Sequence, residues 1–173
     1  SARFNQCMKK WISDGCPGID GVDVLWQCGK HYKPDIDKFM DGQRAKNPDV
    51  VRHIHHSDFI GRMDLAYAAA DVVVSRSGAS SVSELCAAHK AVIFIPSPNV
   101  AEDHQTHNAM ALVRKDAAVL VKDSDAMEKM IPTALELLKD PAKIATLEEN
   151  AGKMALPDAA EKIAEEVYKL VKD

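Results

Sequence analysis

Five short apolar runs, each followed by a helical pattern, constrain this chain more than anything else in it. They are "VDVLWQC" (Val22 to Cys28), "VVRHIHH" (Val50 to His56), "DVVVS" (Asp71 to Ser75), "AVIFI" (Ala91 to Ile95) and "AAVLV" (Ala117 to Val121). Their β-branched, near-continuous hydrophobicity predicts strands of a parallel sheet covered on both faces. Helical patterns lie between them, near 34–46, 62–70, 80–89 and 102–114. This alternation predicts a doubly wound, Rossmann-like α/β sheet with right-handed crossovers. After Val121 the pattern turns helical, near 124–138, 141–153 and 157–172, with Pro132 early in the first segment and Pro141 opening the second. The last segment sets Ile163, Val167, Leu170 and Val171 on one face, a stripe that requires a packing partner.

One feature breaks the pattern. The chain opens on "SARFNQCMKKWI", which reads as a helix with no strand ahead of it. In doubly wound folds the first strand is usually central, and the loop after it holds phosphate. The expectation is a fragment, residues 1–173 forming one domain whose first strand is missing.

Composition narrows the function classes. At 173 residues the chain suffices for one domain with a real core. A formal net charge of −4 gives no basic footprint for nucleic acid, and 5% aromatic residues disfavour a base-stacking platform. No apolar run approaches the ~20 residues that span a bilayer. Cys7, Cys16, Cys28 and Cys86 form no CxxC pair and read as reduced thiols of a cytosolic protein.

The segment Arg76-Ser77-Gly78-Ala79 leaves the third strand and enters a helix beginning near Ser80. Free amides and the dipole at such a helix start favour an anion, and Gly78 and Ala79 admit a diphosphate to the backbone. The competing reading is structural: Ser81-Val82-Ser83-Glu84 matches a capping box, in which Glu84 bonds its own helix start. A second loop, "PSPNVAEDHQTHNA", follows the next strand, and "FIGRM" precedes the helix that leads into "DVVVS". Loops after neighbouring strands converge on one crevice. Asp103, His104, Gln105 and Asn108 then bring hydrogen-bonding groups to its edge.

"RSGASSVSE", "PSPN" and "HQTHNA", with "FIGRM" and "WQCGK", resemble in order and spacing the C-terminal half of the MurG family, from about Asn5 onward. These are bacterial UDP-N-acetylglucosamine transferases that convert lipid I into lipid II in peptidoglycan synthesis. The resemblance implies the donor-binding half of a two-domain glycosyltransferase B fold, the N-terminal acceptor domain being absent. "ARFN" is similar to the tail of the family's Gly-rich first loop. By this resemblance Glu84 would accept hydrogen bonds from both ribose hydroxyls. The backbone of Gly78, Ala79 and Ser80 would hold the diphosphate, with Ser77 among the substrate-binding residues. The Ile60 backbone would read uracil with Met63 over the ring, and Gln105 and Asn108 would hold sugar hydroxyls beside His104. It further implies an inverting transfer with no cofactor and no metal, backbone amides and a helix end acting in a metal's place. UDP-GlcNAc would be the donor and lipid I the acceptor. The whole enzyme would sit peripherally on the cytoplasmic face of the inner membrane, with its base in the absent domain. Where the family usually has a Gly-x-Pro turn, this chain has His89-Lys90-Ala91.

Rival readings are a UDP-GlcNAc 2-epimerase, the catalytic subunit of the two-subunit dolichol-pathway transferase, and a nucleotide-binding module without chemistry. Several residues carry a plainer reading as well. His53 and His55 share a strand face but lack a third ligand at recognisable spacing. Arg76 suits a phosphate or a structural ion pair equally. Cys86 lies on the buried face of its helix.

Overall fold

The structure is a computed structural model that describes residues 1–98 and 103–171, the side chain of Val171 excepted. Helix α1 (Ala2–Ser13) precedes β1 (Val24–Gln27), α2 (Lys33–Lys46), the short α3 (Pro48–Val51), β2 (Ile54–Ser57) and α4 (Met63–Ala69). Then come β3 (Val72–Ser75), α5 (Ala79–Ala87), β4 (Ala91–Phe94), α6 (His104–Val113) and β5 (Val119–Leu120). A 3-10 turn (Asp123–Asp125) leads into α7 (Ala126–Leu138), α8 (Pro141–Lys153) and α9 (Ala159–Val171). The α/β alternation and the helical C-terminus match the expected order. Two local readings fail. Val50 and Val51 belong to a helical turn opened by Pro48, whose fixed φ suits a first helical position, so β2 starts only at Ile54. Pro132 lies at the middle of α7 rather than early in it.

Among the described residues the strands pair in parallel in two sheets: β1 with β2, and β3-β4-β5 in that order. Among the described residues no ladder joins β1 to β3, so each leaves an edge open. β4 is buried on both faces, and its alternation divides the interior. Ala91, Ile93 and Ile95 enter a large core with Trp11, Trp26, Ile36, Met40, Ile54, Met130 and Leu147. Val92 and Phe94 enter a second with Leu85, Cys86, Ala109, Leu112 and Ala151. α1 packs along α7 beneath the first core. Cys86 is buried, and burial pushes its thiol up; burial likewise pushes the Cys16 thiol up to about 11.

The first sheet is dressed on one side only. Trp26 is 5% exposed on the core side, whereas Leu25, one residue earlier on the opposite face, is 54% exposed. α4, the connection from β2 to β3, has no buried residue. The stripe on α9 also lacks the partner its pattern requires: Ile163, Val167 and Leu170 are all exposed. No helix of the described residues is long and apolar enough to cross a membrane.

Candidate functional site

The three parallel strands β3, β4 and β5 end on one side, and the loops beyond them meet there, as parallel register demands. From β3 come Arg76, Ser77 and Gly78. α5 starts at Ala79, with Gly78 as its N-cap in extended conformation. The first intrahelical bond runs from Val82 N–H to Gly78 C=O, so the amides of Ala79, Ser80 and Ser81 precede the helical ladder. Among the described residues no side chain caps them, and the capping box that the sequence offered is not formed. A Cβ placed on Gly78 would meet nothing within 4 Å, so the mouth of this turn is open.

Glu84 lies five residues into α5, exposed, with Oε2 3.5 Å from the Tyr67 hydroxyl of α4. Burial, and then the Glu84 charge, push the Tyr67 phenol up, so it stays protonated and donates. Free of the helix start, the carboxylate keeps its acceptor capacity for a ligand.

The β3 and β4 loops are knitted together around Ser77, which is fully buried. Ser77 Oγ donates to the Gln105 carbonyl at 2.7 Å, and Asn108 Nδ2 donates to the Ser77 carbonyl at 3.0 Å. The Ser97 amide donates to Gln105 Oε1 at 2.9 Å. The structure thus brings together three of the residues singled out in the sequence, Ser77, Gln105 and Asn108, through their own mutual bonds. His104 is exposed at the start of α6. Residues 99–102, including the Asn of "PSPN" and the expected first residue of the 102–114 helix, lie outside the described residues.

Beside this frame opens a cavity of about 500 Å³ lined by Arg3, Gln6, Arg76, Ser97, Gln105 and Asp123 among others. Asp123, from the turn after β5, pairs with Arg76 at 2.7 Å and Arg3 at 3.2 Å. The Arg76 contact lies off the N–H direction, an ion pair rather than a hydrogen bond, which leaves Asp123 Oδ1 without a hydrogen-bond partner. Arg76 also donates to the carbonyls of Ile95 and Pro96, both at 2.9 Å, and its guanidinium stacks over Phe4. Of its two readings, the geometry supports the structural ion pair.

Ile60 and Met63 stand on the β2 side, and neither lines that cavity. The Ile60 N–H is given to Gln27 Oε1 at 2.9 Å, and Met63 opens α4, half-buried. The histidines at the other end of the first sheet converge on one acid, His53 Nδ1 at 3.0 Å and His55 Nε2 at 3.7 Å from Asp23. Among the described residues no group of three or more His, Cys, Asp or Glu could hold a metal ion.

Sequence reasoning missed Gln27, Tyr67 and Asp123. Asp123 was accessible in principle, because it follows a strand end of the same sheet, where site loops gather. Gln27 and Tyr67 carried no signal, since their partners stand 33 and 17 residues away.

Comparison with known proteins places this geometry. Residues 1–163 match the model of the glycosyltransferase family 28 C-terminal domain. A UDP-N-acetylglucosamine–N-acetylmuramyl-(pentapeptide) pyrophosphoryl-undecaprenol N-acetylglucosamine transferase of Parabacteroides distasonis is 47% identical over 150 residues, 87% of this chain and 39% of its own length. Its namesake in Flavobacterium psychrophilum is 46% identical over 172 residues, 98% of this chain and 43% of its own length. The chain therefore spans about two-fifths of the curated relatives it matches. The crystal structure of Acinetobacter baumannii MurG superposes with a TM-score of 0.70 at 24% identity, covering 93% of this chain and 46% of that one. That likeness carries the fold: the parallel sheets and their helices form a Rossmann-like domain of the glycosyltransferase B type. By the family match over nearly its whole length, the chain belongs to the glycosyltransferase family 28 C-terminal domain family.

Proposed function

We propose that this chain is the donor-binding half of an inverting transferase that moves N-acetylglucosamine from UDP-GlcNAc to lipid I, giving lipid II for peptidoglycan. One observation carries the reading: the α5 start after β3 is open and uncapped, and an exposed carboxylate, Glu84, is free of it on the same helix. The amides of Ala79, Ser80 and Ser81 would hold the diphosphate, and Glu84 the ribose hydroxyls. Charge grows on the UDP leaving group as the sugar–phosphate bond breaks. Fixed amides aimed there stabilise the transition state more than the ground state, with no metal required. The names of the relatives supply the sugar and the acceptor.

The remaining parts follow as proposals from the same reading. Ile60 and Met63 would face uracil, the Ile60 carbonyl taking the polar role because its N–H is committed to Gln27. Gln105, Asn108 and His104 would face the sugar. A further parallel strand would fit between the open edges of β1 and β3, beneath the uncovered α4, and an acceptor domain would complete the cleft. In the full enzyme this unit would work at the cytoplasmic face of the inner membrane.

Calorimetry with UDP tests the central assignment. A charge-assisted bond from Glu84 contributes about 1.5–3 kcal/mol, so the loss of even one in Glu84→Ala is expected to weaken UDP at least about tenfold, and the loss of both more than about a hundredfold. Unchanged affinity would remove the ribose assignment.

A further inference from the structure

Glu84 carries the proposed ribose contact, yet a glutamate exposed on a helix has rotamer freedom to lose on meeting a ligand. Ordering such a side chain at the moment of binding costs affinity. Tyr67 bears on that cost. Its hydroxyl stands 3.5 Å from Glu84 Oε2, the only hydrogen bond that this carboxylate makes among the described residues. The roles within it are fixed: an ionised carboxylate only accepts, and the phenol, kept protonated, donates. One lone pair of Oε2 is engaged, and both oxygens keep acceptor capacity for ligand hydroxyls.

The ring behind that hydroxyl is held independently of Glu84. α4 has no buried residue, and among the described residues Tyr67 is the one member of this helix packed on either core. It leans on the second core, where Val82, Leu85 and Cys86 of α5 also lie. A surface helix thus sends one anchored side chain to the second turn of α5, and that side chain ends on the acid.

We propose that Tyr67 is a positioning residue of this site: standing on the second core, its hydroxyl aims the Glu84 carboxylate at the ribose hydroxyls and couples α4 to their binding. The inference rests on the donor-site reading above and deepens it. With one oxygen already steered, Glu84 meets the ligand with less freedom to lose, so affinity rises without a ligand contact from Tyr67 itself. At 3.5 Å the bond is long, and hydrogen bonds of ligand-free sites commonly shorten in the complex. Shortening it draws α4, which opens on Met63, toward the helix that bears the acid. The ligand class that gains is a ribonucleotide, whose two pentose hydroxyls need an acceptor fixed in direction.

A double-mutant cycle read by calorimetry with UDP tests this. Tyr67→Phe keeps the ring on the second core and removes only the hydroxyl, so the melting temperature is expected to stay within about 2 °C. UDP affinity is expected to fall about threefold to tenfold, the ordering cost of one long side chain. In a Glu84→Ala background, with UDP raised into the millimolar range, the same change is expected to alter affinity by less than about twofold. An equal loss in both backgrounds would show the hydroxyl acting without Glu84 and overturn the proposal. So would an unchanged affinity in Tyr67→Phe alone while Glu84→Ala still weakens UDP. If Glu84→Ala itself leaves UDP untouched, the ribose assignment fails first and the positioning role with it.

Discussion

The two sheets of this molecule are built from similar sequence and finished differently. In β3-β4-β5, the central strand is buried on both faces, and α5 and α6 contribute Leu85, Ala109 and Leu112 to the core that receives Phe94. In β1-β2, only the side bearing Trp26 is packed, while Leu25 faces outward and α4 has no fully buried residue, only Tyr67 leaning on the second core. The loops follow suit. Those beyond β3 and β4 are tied by three mutual hydrogen bonds around a fully buried serine and by Arg76 on two carbonyls. The loop beyond β2 holds to its neighbour strand through Gln27 on the Ile60 amide. On the proposed reading, a ligand spanning both regions would meet a pre-formed frame at its diphosphate and sugar. Its base would meet a surface held by few contacts, which adds an ordering cost to binding.

The largest expected contrast is in stability. Phe94→Ala empties a fully buried site and should cost about 3–5 kcal/mol in urea unfolding. Leu65→Ala on α4, at a residue 56% exposed, should stay within about 0.5 kcal/mol. Comparable losses for both would show α4 to be as firmly packed as the second sheet and would dissolve the contrast.

A smaller effect probes the corner where α5 turns back toward β4. His89 adopts the left-handed conformation, φ 51°, that glycine occupies most readily, and its amide closes on the Cys86 carbonyl. Here lies the physical consequence of a chain without the usual glycine turn: the imidazole must go somewhere, and it lies on α8. A Cβ added at Gly152 would stand 2.5 Å from that ring. Gly152→Ala is therefore expected to cost about 1–3 kcal/mol by overpacking. In a His89→Gly background the same change should become neutral or mildly stabilising, since alanine exceeds glycine in helix interiors by about 1 kcal/mol. An equal cost in both backgrounds would uncouple the two positions.

The smallest effect belongs to the other half. Asp37 on α2 accepts from Lys33 Nζ at 2.6 Å and meets His56 Nε2, from β2, at 2.8 Å. Those partners, Lys33 first, hold its carboxyl below the usual carboxylate range. A depressed folded-state value means the stabilisation is present above the unfolded value of about 3.9 and is lost as pH falls through the folded one. Urea midpoints of the natural protein and Asp37→Asn should thus differ most near neutrality and converge at low pH. A gap that persists in acid would assign the effect to packing.

Much of the fold was legible because its signals are local. All five apolar runs hold a strand, shorter than the run itself, and Pro141, with Asp140 as its cap, opens α8 where the sequence marked it. Val50 and Val51 misled because β-branched residues favour strands in general, while Pro48 fixed a helical turn locally. The site was half legible. Ser77, Gly78, Gln105 and Asn108 stand at strand ends whose loops must meet if the strands run parallel. The fate of Glu84 was not readable, because a capping box and a ligand-facing carboxylate share one pattern.

What the sequence determined by itself was periodicity: which segments are strands or helices, and at which strand ends chemistry can gather. Only the tertiary structure decided which polar atoms spend their bonds internally. Gln27 takes the Ile60 amide, Asp123 draws in Arg3 and Arg76, and Ser77 with Ser97 orients two amides. The physical reason is that secondary structure follows from neighbours a few residues apart. Hydrogen-bond satisfaction depends on groups that meet only after the strands have paired.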